Sequence, residues 1–116
     1  ATSVAHDSHN VITVGCNDDD IAVAVNAIKD SKGGIAVVEN GKIKALLELP
    51  IAGLMSDEPL TTVNEKLENA KLSAYELGAD KSIDPFMTLS FLSLPVIPSL
   101  RITTKGVFDA ENWKML

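Results

Sequence analysis

The chain has 116 residues, 46% of them hydrophobic, and its ten Lys and Arg against sixteen Asp and Glu give a formal net charge of −6. That length and apolar content suit a single domain with one core, and the acidic balance argues against nucleic acid or an anionic membrane as a partner of the chain as a whole. Cys16 is the sole cysteine, which excludes an internal disulfide and a cysteine-cluster zinc site and fits a reducing compartment. No apolar run approaches the roughly 20 residues that span a bilayer, and no basic stretch followed by an apolar one opens the chain. The expectation is a cytoplasmic protein, and Ala1 in place of Met is what a processed or excised piece of a longer chain would show.

In chain order, the polar run Ala5 to Asn10 leads into Val11, Ile12 and Val14, whose β-branched character predicts a short buried strand ending at Gly15. Asn17 or Asp18 is placed to cap a helix carrying Ile21, Val25 and Ile28, which should run to about Lys29 and stop before Gly33-Gly34. The cluster Asp18-Asp19-Asp20 reads as negative charge at the positive end of that helix in preference to a metal site. Cys16, just beyond the strand, is expected in or near the core.

Ile35 to Val38 predicts a second strand, and Asn40-Gly41 a two-residue hairpin turn with Glu39 opposite Lys42. The returning strand alternates Ile43, Ala45, Leu47 and Leu49 with mostly polar residues, as in a sheet covered on one side or a strand near the sheet's edge. Pro50 to Met55 reads as a buried connection. The longest helix should start at Ser56-Asp57-Glu58-Pro59, with Asp57 and Glu58 as capping carboxylates. Its stripe is Leu60, Val63, Leu67, Ala70, Ala74 and Leu77, and Gly78 is the stop. Met87 to Leu92 reads as a strand with a hydroxyl-bearing face, Arg101 to Thr103 as a short strand, Gly106 as a turn, and the tail around Trp113 as an apolar anchor or a frayed end. The sum is a mixed α+β fold, with one mixed sheet of about five to six strands and two principal helices.

His6, Asp7 and His9 form the sharpest chemical cluster and include both histidines. A polar turn with Asp7, Ser8 and Asn10 bonded to backbone donors is the plainest account. A ligand- or partner-facing loop using histidine for proton transfer is the second, and a two-histidine metal centre the third. No H-E-x-x-H, C-x-x-C, P-loop or G-x-S-x-G motif is present, and a nucleophilic Cys16 would need a base that the sequence does not supply.

Three stretches carry more: SVAHDSHNVITVG at Ser3 to Gly15, LPIAGLMSDEP at Leu49 to Pro59, and DPFMTLSFLSLPVIPSLRIT at Asp84 to Thr103, followed by Gly106 to Asp109. In this order they resemble the C-terminal domain of bacterial and archaeal-type adenine deaminases of the amidohydrolase superfamily. The resemblance implies hydrolysis of adenine to hypoxanthine and ammonia in purine salvage, with a divalent metal pair, manganese or iron, held by a preceding barrel domain in the same chain. It implies that residues 1–116 are a single domain making up most of that C-terminal domain, that the fragment binds no metal and is inactive alone, and that the whole enzyme is a homo-oligomer. His6, Asp7, Ser8, His9 and Asn10, with Ser56, Asp57 and Glu58, are the residues expected to face the barrel, the active site or a subunit contact. The alternative is a non-catalytic interaction or oligomerisation module built on the Ser90 strand and the proline segment; a small-molecule sensor is a third choice, with no glycine-rich cradle or basic pocket to support it.

Overall fold

The computed structural model describes residues 1–7 and 9–116. Its organising element is an antiparallel hairpin of β1 (Gly34–Glu39) and β2 (Lys42–Glu48), turned at Asn40 and Gly41, whose positive φ angles are those the two-residue turn demands. Glu39 stands opposite Lys42 as the sequence predicts. Helix α1 (Asp18–Asp30) begins where Asn17 Oδ1 accepts the Asp20 amide at 2.8 Å. The Asp20 carboxylate in turn accepts from the Asn17 side chain and, at 2.6 Å, from the Gly41 amide. Those bonds, the Asn17 one foremost, hold the Asp20 carboxyl below its ordinary pKa, and they tie the helix start to the hairpin turn.

Both faces of the hairpin are covered, where the alternation in β2 suggests only one. On one face α2 (Leu60–Glu76) packs Val63, Leu67, Ala70 and Ala74 over Ile35, Val37, Ala45, Leu47 and Leu49. On the other, Ala27 and Ile28 of α1 meet Ala36 and Leu46. Successive side chains of a strand point to opposite faces, so β1 is buried throughout Gly34 to Val37, and the lone apolar Leu46 among Lys42, Lys44 and Glu48 is enough to seat α1. Between Val37–Ala45 and Val38–Ile43 the register shifts, leaving Lys44 as the extra residue of a bulge. Its ammonium lies 3.2 Å from Glu39 and 3.1 Å from Glu76 of α2.

Several expectations change. Val11 to Gly15 is not a buried strand: Ile12 makes one bridge to Thr2, Thr2 makes another to Ile35, and Val14 is 73% exposed. The segment is the outermost rung of the ladder among the described residues, and its Val11 and Val14 side chains are left exposed. Cys16 accordingly lies exposed instead of in the core. Met87 to Leu92 is helical, in α3 (Pro85–Ser90) and a 3-10 turn at Phe91–Ser93. Asp84 Oδ1 accepts the amides of Phe86 and Met87, and Pro85 occupies the first helical turn, a strong start signal that outweighs the strand-like apolar run. Ser90 and Ser93 are buried, so no hydroxyl-bearing strand face exists there for a partner. Leu60, 82% exposed, and Leu77 fall outside the buried stripe of α2, although Gly78 at φ +104° follows its end as expected.

Instead of one mixed sheet there are, among the described residues, two antiparallel ones. The second is a meander of β3 (Leu100–Thr103), β4 (Gly106–Asp109) and β5 (Lys114–Met115). The fold remains mixed α+β. Buried Phe86 plugs α3 into the main core, a burial worth about 2 kcal/mol. Lys71 to Asp84 at 3.1 Å and the Tyr75 hydroxyl donating to the Ile83 carbonyl hold the same junction. Among the described residues, no helix is long and apolar enough to cross a membrane.

Residue 1 is paired with β1, the Ala1 nitrogen donating to the Ala36 carbonyl and the Ala36 amide donating to the Ala1 carbonyl, each at 2.9 Å.

Candidate functional site

The polar head is seated by buried backbone and hydroxyl groups upstream of it. Ser3 is buried, and its hydroxyl accepts the Gly34 amide at 2.8 Å and donates to the Gly53 carbonyl at 2.6 Å, while its own amide donates to the Gly34 carbonyl. Three segments remote in sequence meet at this oxygen. The approach is close: a Cβ on Gly33 would stand 2.3 Å from the Gly53 Cα, and one on Gly34 would stand 2.1 Å from the Leu47 carbonyl oxygen. Only glycine fits at either position, since φ is also +128° and +149°.

Beyond Ser3 the chain crosses fully buried Ala5, whose amide donates to His9 Nδ1 at 3.2 Å. That bond makes Nδ1 an acceptor and leaves Nε2 carrying the proton of neutral His9. His6 donates its amide to the Ser90 carbonyl at 3.3 Å, and its ring stacks on Phe91 with centroids 4.6 Å apart and planes 17° from parallel. Asp7, at φ +60°, holds its carboxylate 3.9 Å from His6 Nδ1, a pair only when that imidazole is charged. His6, Asp7 and His9 are exposed and Asn10 is half-buried. Ser8 lies outside the described residues.

The second polar loop follows a turn through Ala52 and Gly53, closed by an Ile51–Met55 bridge. Pro50 to Met55 is therefore buried at Gly53 but exposed at Ile51 and Met55. Ser56 Oγ accepts the Glu58 amide at 3.2 Å, and Glu58 reaches Lys66 of α2 at 2.6 Å. The Glu58 bond raises the Lys66 pKa. Asp57 and Glu58 do not cap α2. Pro59 occupies the cap position with no side-chain bond, and Glu58 pairs instead with Lys66, about two turns into the helix. Ser56, Asp57 and Glu58 line an open cleft of about 300 Å³ together with Asp30, Ser31, Lys32, Glu48 and Pro50. Four carboxylates against one lysine make it a surface for hydrogen-bond donors, not anions.

The structure thus joins each loop to the core through Ser3 and Gly53 but does not merge them: none of His6, Asp7, His9 and Asn10 lines the cleft. Among the described residues, no three His, Cys, Asp or Glu side chains converge as metal ligands, and His9 Nδ1 is already engaged. Sequence reading missed Ser3 and Phe91. Their partners lie 31, 50 and 85 positions away, and no local pattern carries such a signal.

Residues 1–114 match the family described as the adenine deaminase C-terminal domain. The chain belongs to that family. Adenine deaminases from Bacillus pumilus, Desulfatibacillum aliphaticivorans and Clostridium acetobutylicum are 51%, 55% and 52% identical to it over 116, 111 and 117 residues, covering 100%, 96% and 100% of this chain. The same alignments cover 20%, 19% and 20% of those relatives, so this adenine deaminase C-terminal domain spans about a fifth of the length of the curated relatives it matches.

The two histidines should differ in what they hold. Replacing His9 with Ala strands the amide of fully buried Ala5 and should cost about 1–2 kcal/mol, whereas His6→Ala removes a surface stack worth about 0.5–1 kcal/mol. Urea denaturation of the two variants gives the order directly, and a larger loss for His6→Ala would contradict the assigned role of His9.

Proposed function

We propose that this chain is the C-terminal domain, residues 1–116, of a cytoplasmic adenine deaminase that hydrolyses adenine to hypoxanthine and ammonia in purine salvage. The observation that carries the reading is the family match over residues 1–114 at about half identity to proteins named adenine deaminase, in alignments that leave four-fifths of each relative to other parts of the enzyme. The divalent metal pair, manganese or iron, belongs in this reading to the preceding amidohydrolase barrel, because the described residues here do not fit a metal centre. No step of the hydrolysis is therefore assigned to a metal on this chain.

The chain's own contribution is to present hydrogen-bonding groups toward that barrel. His6, held flat by Phe91, and His9, with its Nε2 proton fixed by the Ala5 bond, offer imidazoles in set orientations, with Asp7 between them. Asn10 adds to the first loop, Ser8 shares that loop in sequence, and the Ser56–Glu58 loop offers a second, separate polar surface. Preorganised donors on a rigid support act on a bound base without reordering at the moment of reaction.

In the full-length enzyme, His9→Ala and Asp7→Ala should lower kcat/KM for adenine by about tenfold, with metal content unchanged. The 116-residue chain alone should release no hypoxanthine. Wild-type kinetics in both variants would remove the substrate-side role, and turnover by the isolated chain would overturn the placement of the hydrolytic centre.

A further inference from the structure

The β3–β5 meander stands apart from the main core. β3 meets the 3-10 turn at Phe91–Ser93, and β4 and β5 make no extensive contact with α1, α2, β1 or β2 among the described residues. Its register pairs Leu100 with Asp109, Ile102 with Val107 and Asp109 with Lys114. Paired residues share a face, so Leu100, Ile102 and Val107 form an apolar centre with Asp109 and Lys114 at one end. All three apolar side chains are open to solvent, Ile102 at 64%. The opposite face is mixed, with Arg101 and Thr103 beside Phe108 and Met115, and Trp113, edge-on to Phe108 at 5.3 Å, is 67% exposed. Small sheets with a bare apolar face are poor folding units on their own and ordinarily gain stability by packing on something else.

We infer that the Leu100–Ile102–Val107 face is the seat on which the preceding part of the same polypeptide docks, an inference that rests on this chain being the C-terminal domain of a longer enzyme. The size of the patch selects this occupant over a second copy. Three half-exposed aliphatic side chains offer a few hundred Å², comparable to the largest patch on an ordinary monomer and well short of the roughly 800 Å² per partner that a stable dimer buries. Interfaces between domains of one chain hold at smaller areas, because the covalent link supplies an effective concentration near the millimolar range. An apolar centre with a charged pair at its rim is also the ordinary composition of such a contact.

The test places a thiol at the face. In a Cys16→Ser background, Ile102→Cys is introduced into the full-length polypeptide and into the 116-residue chain, with Leu100→Cys as a second reporter should the first fail to fold. Alkylation is followed on the peptide containing the new cysteine. The inference predicts labelling at least about tenfold slower in the full-length polypeptide, independent of protein concentration. Equal rates in the two contexts would overturn it. Protection that appears in the short chain as concentration rises, or that vanishes from the long one on dilution, would also overturn it in favour of a second copy. Adenine turnover is measured on the same full-length variants: slow labelling in a polypeptide that does not hydrolyse adenine would sink the functional reading and leave the docking face standing.

Discussion

The Ser3 hydroxyl is the constraint on which the arrangement of the domain depends. It satisfies the amide that opens β1 and the carbonyl of the Gly53 turn from inside the protein, where an unpaired polar group costs about 1–3 kcal/mol. Gly33 and Gly34 are what allow this closeness, since the backbone runs against Gly53 and Leu47 with no room for a side chain. From that point His6, Asp7 and His9 follow within six residues, and Ser56 to Glu58 follow Gly53 within five. A single buried oxygen therefore fixes the roots of both polar loops.

The other end of the polar head is held by a different part of the chain. The Ser90 carbonyl and the Phe91 ring receive His6, and α3 is itself fixed by Phe86 in the core and by Asp84 at its cap. All three stretches that resemble the deaminase family, around residues 3–15, 49–59 and 84–103, thus meet at Ser3 and His6. The family resemblance marks a physical junction rather than three separate motifs. The hairpin between α1 and α2 is the rigid base that lets them meet.

Local chemistry was legible where the partners are close in sequence. Asn17 as a cap, Asn40-Gly41 as a turn and Val63, Leu67, Ala70 and Ala74 as a buried stripe all follow from spacing alone. Where an apolar run had two uses, tertiary context decided. Val11 and Val14 stayed exposed because their segment makes a single bridge at the margin of the hairpin, and Met87 to Leu92 became helical because Asp84 and Pro85 set the start. The site was legible as a list of polar residues but not as geometry, because Ser3, Gly34 and Gly53 cooperate across 50 positions and Phe91 reaches His6 across 85. The second face of the hairpin hinged on one residue, Leu46, too little to register as a pattern.

The most direct measurement is amide hydrogen exchange at Gly34 and His6 in the native chain and in Ser3→Ala. If the hydroxyl roots the polar head, both amides exchange at least about tenfold faster in the variant, while the interior amides of α1 change less. Unchanged protection at both Gly34 and His6 would contradict the account.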